Sequence, residues 1–205
     1  MSYVNLHLHS EYSALDGLCT VGGALDYARE LGMGALAITD HGTVGGVVEF
    51  YQAAHQRGVK PILGMEAYLV DDVAVRDRNI FHLTLLAQTL EGYRNLLRLS
   101  SLGYDNMYYS PRVDWALLGQ HAEGLWALTG CLSGRLCRAL QHDEDPWPYI
   151  RLFQKTFGDH WSVELHNHGL LDEDTVRPRL IALAHEAGAS IVASADNHYV
   201  RPRSR

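Results

Sequence analysis

Apolar residues along the chain come in two arrangements: short compact runs, and runs spaced by three or four. The compact runs fall at 35–39, 81–86, 124–129, 162–165 and 190–193, and another lies within 59–68; each reads as a strand. The run at 35–39 is continuous, as expected of a strand covered on both faces. Between them, Val21, Leu25, Ala28 and Leu31 lie on one helical face, and Gly32 and Gly34 end that pattern. Similar spacing predicts a helix over 44–56, closed by Gly58, and a strongly amphipathic one over 90–102. Helices are also predicted over 132–140, over 147–157 with Pro146 and Pro148 near its start, and over 175–186 with Pro178 in its first turn. The chain opens with a short strand at 3–8. Residues 13–17 and the charged stretch 70–79 read as loops, and 104–111 as aromatic and irregular.

Strand and helix alternate about seven times. That order predicts parallel strands joined by right-handed crossovers, and so an α/β barrel or a doubly wound sheet. No repeat, linker or low-complexity tract interrupts it, so residues 1–205 read as one domain.

Composition narrows the function classes. Hydrophobic residues make up 47% and charged residues 20%, the balance of a globular chain. No apolar run is long enough to span a membrane, and no basic segment followed by an apolar core opens the chain. Cys19, Cys131 and Cys137 are an odd, unclustered set, as expected of reduced thiols in a cytoplasmic protein. Net charge is −7 from 17 basic and 24 acidic residues, which argues against tight unaided binding of duplex DNA. That count treats acids that would ligate metals as free.

The chemistry-bearing residues occupy strand ends. His7 and His9 alternate with Leu8 on the first strand, so both point to one face and can converge on one ion. Asp16, His41, Glu66, His82, Cys131, Asp196 and His198 follow at or just after later strands. Each has a plain reading of its own: a core histidine for His82, a small buried hydrophobe for Cys131, a turn residue for Asp16. Together, at successive strand ends, they would meet at one mouth of a parallel barrel. Nine such groups are too many for one tetrahedral ion, and suggest two or three ions with a bridging carboxylate.

The motifs His7-Leu8-His9-Ser10, Thr39-Asp40-His41-Gly42, Gly64-Met65-Glu66, the His82 strand, Gly130-Cys131 and Asp196-Asn197-His198 resemble those of the PHP (polymerase and histidinol phosphatase) family. Ser10-Glu11-Tyr12-Ser13 with Leu15-Asp16-Gly17, Val48-Glu49-Phe50-Tyr51, Tyr109-Ser110-Pro111-Arg112-Val113-Asp114 and Asn167-His168-Gly169 are similar to the N-terminal PHP domain of bacterial DNA polymerase III alpha subunits. The resemblance implies a distorted seven-stranded (β/α)7, TIM-like barrel. It also implies a centre of three divalent ions (zinc, manganese or iron) on the nine positions named above. His7, His9, Glu66 and Asp196 would hold one ion. Glu66 would bridge to a second with His82 and Cys131. Asp16, His41 and His198 would hold the third. A water acidified by these ions attacks phosphorus in such chemistry, and Cys131 as thiolate favours zinc or iron at its site. The polymerase subunit runs on for hundreds of residues, whereas this sequence ends in Arg201-Pro202-Arg203-Ser204-Arg205; an excised domain and a free-standing relative both fit.

Asp40 is a candidate for orienting ligands from behind them, with a helix cap as its plain alternative. Arg112, Arg135 and Arg201 are candidates for gripping phosphate, with solvated charge as the alternative. His166 and His168 are weighed as substrate contacts against simple loop structure. The expected function is a metal-dependent 3′→5′ exonuclease acting on single-stranded or frayed DNA ends. Its partners would be the remaining domains of a replicative polymerase and its proofreading or clamp proteins. A phosphomonoesterase of the histidinol-phosphatase type and a non-catalytic module of the polymerase are the alternatives.

Overall fold

A computed structural model describes residues 3–201; the end of the sequence at 202–205 lies outside them. Four helices and four strands lead through the first part of the chain. They are α1 (Val21–Glu30), β1 (Ala35–Ile38), α2 (Val47–Arg57), β2 (Lys60–Val70), β3 (Phe81–Ala87), α3 (Leu90–Asp105), β4 (Arg112–Asp114) and α4 (Trp115–Gln120), the fourth strand being a three-residue piece. The rest comprises β5 (Leu125–Leu128), α5 (Arg135–Gln141), α6 (Trp147–Phe157), β6 (Trp161–Leu165), α7 (Leu171–Ala187) and β7 (Ser190–Ala193). The strands form one sheet in the order β1-β2-β3-β5-β6-β7, with β4 also paired to β2.

The sheet curls into a distorted α/β barrel, and the N-terminal segment closes it. Ala37 and Thr39 donate to the carbonyls of Asn5 and Leu8 on one side, while His9 and Asn197 exchange bonds with Asn197 and His7 carbonyls on the other. The regular strand expected at 3–8 is absent; only isolated bridges, Leu8 to Asn197 and Ser10 to Cys19, occur there. Side chains displace the ladder: Asn5 Nδ2 donates to the His7 carbonyl, and the Leu8 N–H donates to Thr39 Oγ1.

The expectation of uniformly parallel strands is corrected at β3, which runs antiparallel to both β2 and β5. The charged stretch between β2 and β3 holds no helix, and a chain that returns without a crossover pairs antiparallel. This reversal matters for the site. It brings the first residues of β3, Phe81 and His82, to the end where the parallel strands finish. Pro178 is also corrected: it lies inside α7, which starts earlier than predicted. The acids Asp172, Glu173 and Asp174 favour that early start, and Glu173 accepts from the Leu170 N–H.

Two apolar clusters hold the layers together. The larger packs β2, β3, β5 and β6 under α3–α7 around Leu85, Leu96, Leu99, Ile150 and Phe153. The smaller joins α1 and α2 to β1 around Leu25, Ile38 and Phe50. The start of α3 presses directly on the turn before β5. A Cβ at Gly92 would meet the Gly124 carbonyl oxygen at 1.9 Å.

Candidate metal centre

His7 and His9 reach the barrel mouth from the closing segment, His41 from just past β1, Glu66 from within β2 where it bridges to His41, and His82 from the start of β3. Cys131 follows β5, and Asp196 and His198 follow β7. His7 Nε2 lies 3.1 Å from His9 Nε2, 3.1 Å from Glu66 Oε1 and 3.5 Å from Asp196 Oδ1. His9 Nε2 stands 3.0 Å from Asp196 Oδ1. The same Glu66 oxygen, Oε1, is 3.0 Å from His82 Nδ1, which is 3.6 Å from Cys131 Sγ. Asp16 Oδ2 is 3.3 Å from His41 Nε2 and 3.6 Å from His198 Nε2. All nine donors named from the sequence therefore meet in one cluster, with Glu66 at its middle.

The framework dictates which nitrogens face inward. His7 Nδ1 is 2.9 Å from the Glu164 carboxylate, to which it donates, so Nε2 is the nitrogen that faces the interior; burial opposes a charge on this ring, but Glu164, Asp196 and Glu66 raise its pKa well above the ordinary value. His9 Nδ1 faces Ser13 Oγ at 3.3 Å, and that hydroxyl donates to Asp40 Oδ1 at 2.8 Å. His198 Nδ1 faces the Asp196 carbonyl at 3.1 Å. These partners hold Nδ1 of all three as the outward donor and leave Nε2 as the nitrogen that would give up its proton to a metal.

Asp40 also accepts from Ser10 N at 2.6 Å and from the Ser10 hydroxyl. It is buried and caps no helix, since Gly46 is the N-cap of α2. Its part is to fix the loop that carries His9. Asp196 itself adopts φ 40°, a left-handed backbone uncommon outside glycine. Ties on both flanks hold it so: Asn5 Oδ1 accepts from Ala195 N, and Asn197 N and O bond to the His7 carbonyl and His9 N–H.

The electrostatics suit cations. Burial opposes the charge on Glu66, yet His82, His41 and His7 around it hold its carboxyl well below the usual range. Burial likewise opposes, and His7 and His9 outweigh it at, Asp196. Burial, then Glu66 and Asp196, push the Cys131 thiol well above its ordinary value, so it becomes a thiolate only if positive charge joins it. Both Glu66 oxygens, Asp196 Oδ1 and His41 Nδ1 are buried without an aligned hydrogen-bond partner. Orphaned acceptors at such cost, crowded together, fit divalent ions.

Sequence reading missed Glu164. It lies in β6, fully buried, taking bonds from Gly130 N, Thr84 Oγ1 and Ser194 Oγ while facing His7 and His166. Burial raises its pKa, but His7 and His166 more than offset that and hold it well below the usual carboxylate range. Its signal was the one that flagged Glu66, a carboxylate inside an apolar strand. His166 bonds to Glu164 and Ser194. His168 lies between Glu173 Oε1 at 2.6 Å and the Ala195 carbonyl at 2.8 Å.

Two candidate arginines stand apart from the cluster. Arg112 is buried and donates to the carbonyls of Asn106, Val75 and Val73. Arg201 pairs with Glu30 and lies over Tyr27. Arg135 packs against the Phe81 and Tyr149 rings beside the mouth.

The PHP domain model matches residues 5–168. The chain belongs to the PHP domain family. This PHP domain is 40% identical to DNA polymerase III subunit alpha of Deinococcus radiodurans, over 97% of its own length and 16% of the relative's. It is 41% identical to the Treponema pallidum subunit, over 97% of its own length and 18% of the relative's. The figure is 39% for the Thermus aquaticus subunit, over 98% and 18%. It thus spans less than a fifth of the length of these relatives. The fold is similar to that of a protein from Bifidobacterium adolescentis provisionally assigned as a metal-dependent phosphoesterase, with TM-score 0.61, 16% identity and coverage of 97% and 89% of the two chains. It is equally similar, at TM-score 0.61 and 16% identity, to an amidohydrolase from Chromobacterium violaceum with bound sulfate, over 95% and 87%. Among the described residues no helix is long and apolar enough to cross a membrane.

Proposed function

We propose that this PHP domain is a metal-dependent phosphoesterase, and specifically a 3′→5′ exonuclease on single-stranded or frayed DNA ends within a polymerase III alpha-type protein. One observation carries the reading: nine metal-type donors lie within short distances of one another in a chain whose identity to replicative polymerase subunits runs along nearly its whole length. His7, His9, Glu66 and Asp196 would hold one ion, Glu66, His82 and Cys131 a second, and Asp16, His41 and His198 a third. Divalent ions there would acidify a water and neutralise charge on a phosphoester. The chain's own part is positioning. Glu164 keeps the His7 proton on Nδ1. The Asp40–Ser13 pair does the same for His9, and the ties around Asp196 aim its carboxylate inward. Such pre-set donors lose little reorganisation energy when charge develops.

Three outcomes separate this reading from its competitors. The purified chain, loaded with manganese or zinc, is offered a 3′-labelled single strand and, separately, histidinol phosphate. Stepwise shortening of the strand is the expected result. Phosphate release from the small substrate alone would transfer the site to the phosphomonoesterase class. Inactivity on both, with metal content verified by elemental analysis, would leave a structural module.

A further inference from the structure

Arg135, Arg138 and His142 fall at i, i+3 and i+7 along α5 and its C-cap, and so share one face. With Asn79, Phe81 and Glu144 they line a cleft of about 360 Å³. The Arg135 guanidinium carbon is 3.9 Å from the Tyr149 ring centroid and 4.3 Å from that of Phe81, which fixes its plane. One terminal nitrogen donates to the Tyr149 hydroxyl, but Nε is buried with no hydrogen-bond partner. The nearest carboxylates, of Glu144 and Asp71, stand 3.7 and 3.9 Å away, beyond hydrogen-bond reach, on side chains 48% and 69% exposed. A buried donor left unspent on an immobilised guanidinium is costly by itself, and its planar fork matches phosphate oxygens. In a chain of net charge −7, Arg135 and Arg138 place two guanidinium groups on this wall, with Glu144 and Asp71 at its rim.

The cleft lies across β3 from the metal centre. Phe81 precedes His82 on β3, and the His82 N–H donates to the Ser133 carbonyl, two residues before Arg135. Strand alternation sends Phe81 and His82 to opposite faces, so the lip of β3 separates cleft from centre. From this placement we infer that the cleft is a phosphate subsite for a single-stranded oligonucleotide, taking a phosphodiester next to the one positioned for cleavage. The inference deepens the proposed exonuclease reading and rests on it.

Binding in the presence of EDTA isolates the cleft, because the metal centre then contributes nothing. The probe is a short fluorescent oligothymidylate, titrated onto the full chain and onto Arg138→Glu and Arg135→Lys, with folding checked by circular dichroism. Arg138 is exposed, so its substitution tests the cleft even if Arg135→Lys fails to fold. The expected result is about tenfold weaker binding for Arg138→Glu, with the log–log salt slope falling by roughly one. Inorganic phosphate should compete far more weakly than unlabelled oligonucleotide. Wild-type affinity and salt slope in Arg138→Glu would overturn the subsite, and so would equal competition by inorganic phosphate. Arginine-dependent binding without strand shortening under metal would keep the subsite and defeat the exonuclease reading. Shortening with a neutral Arg138→Glu would do the reverse.

Discussion

Three imidazoles of the centre divide their two nitrogens between framework and interior, and that division governs what single substitutions do. His7 leans on Glu164, His9 on Ser13 and His198 on the Asp196 carbonyl. Cys131 differs, since burial and the carboxylates around it disfavour its thiolate until a cation is present. Cys131→Ser should therefore lose the ion nearest His82 while the others stay and the circular dichroism spectrum is unchanged. Metal competition with a chromophoric chelator reads this; an unaltered stoichiometry would make Cys131 a packing residue. His168 gives a pH prediction. Both its nitrogens face acceptors, an arrangement that favours the cation. Burial opposes the charge, but the Ala195 carbonyl and Glu173 raise its pKa, while Glu173 itself is lowered against its own burial by bonds from His168. A raised histidine stabilises fully below its ordinary pKa and loses that as pH rises through the raised value. A lowered carboxylate stabilises above its ordinary pKa and loses that as pH falls. In chelator, the Tm gap between wild type and His168→Ala should be widest at about pH 5–6 and shrink above it; a gap flat with pH would contradict the pairing. At this scale the donors were legible because metal-type residues at strand ends are hard to explain otherwise. Glu164 was not, because a lone acid in a short strand stood out less than an imidazole pair.

Elements were legible where periodicity had room to show. α6 and β7 match their predicted ranges, and α1 and β1 differ by a residue at one end. β4 and α4 went unseen because a three-residue strand and a six-residue helix carry no period. The orientation of β3 was decided by the helix-free loop before it, not by its own residues. Pro178 misled because prolines favour a helix's first turn, whereas first-turn acids start α7 at Leu171. The α3–β5 junction offers a direct test. Alanine favours a helix over glycine by about 1 kcal/mol, yet a Cβ at Gly92 would strike the Gly124 carbonyl oxygen. Gly92→Ala should lower the unfolding free energy by about 2 kcal/mol in urea denaturation. Unchanged or increased stability would show that the contact yields.

For the whole molecule, the two ends of the chain are joined at the place where chemistry is proposed. The closing segment supplies His7 and His9, and the stretch after β7 supplies Asp196 and His198, with backbone bonds between His9, His7 and Asn197 binding the two. The sequence suggested a barrel through its alternation, but it could not reveal that a few isolated backbone bonds, supplemented by Asn5 and Thr39 side chains, complete the closure in place of a regular ladder. Net charge −7 leaves most of the surface unsuited to duplex DNA, so ions at the mouth would provide the main grip on terminal phosphates. The measurement closest to the central claim follows loss of a 3′ label from a single-stranded primer. It compares wild type, His9→Ala, Asp196→Ala and the double variant, with manganese or zinc and then with chelator. Each single change should cost orders of magnitude in rate and the double little more, because groups serving one ion act as a unit. Chelator should abolish the wild-type activity, and paired ends should be cut more slowly than frayed ones. Full activity in His9→Ala, or shortening indifferent to chelator, would contradict the account.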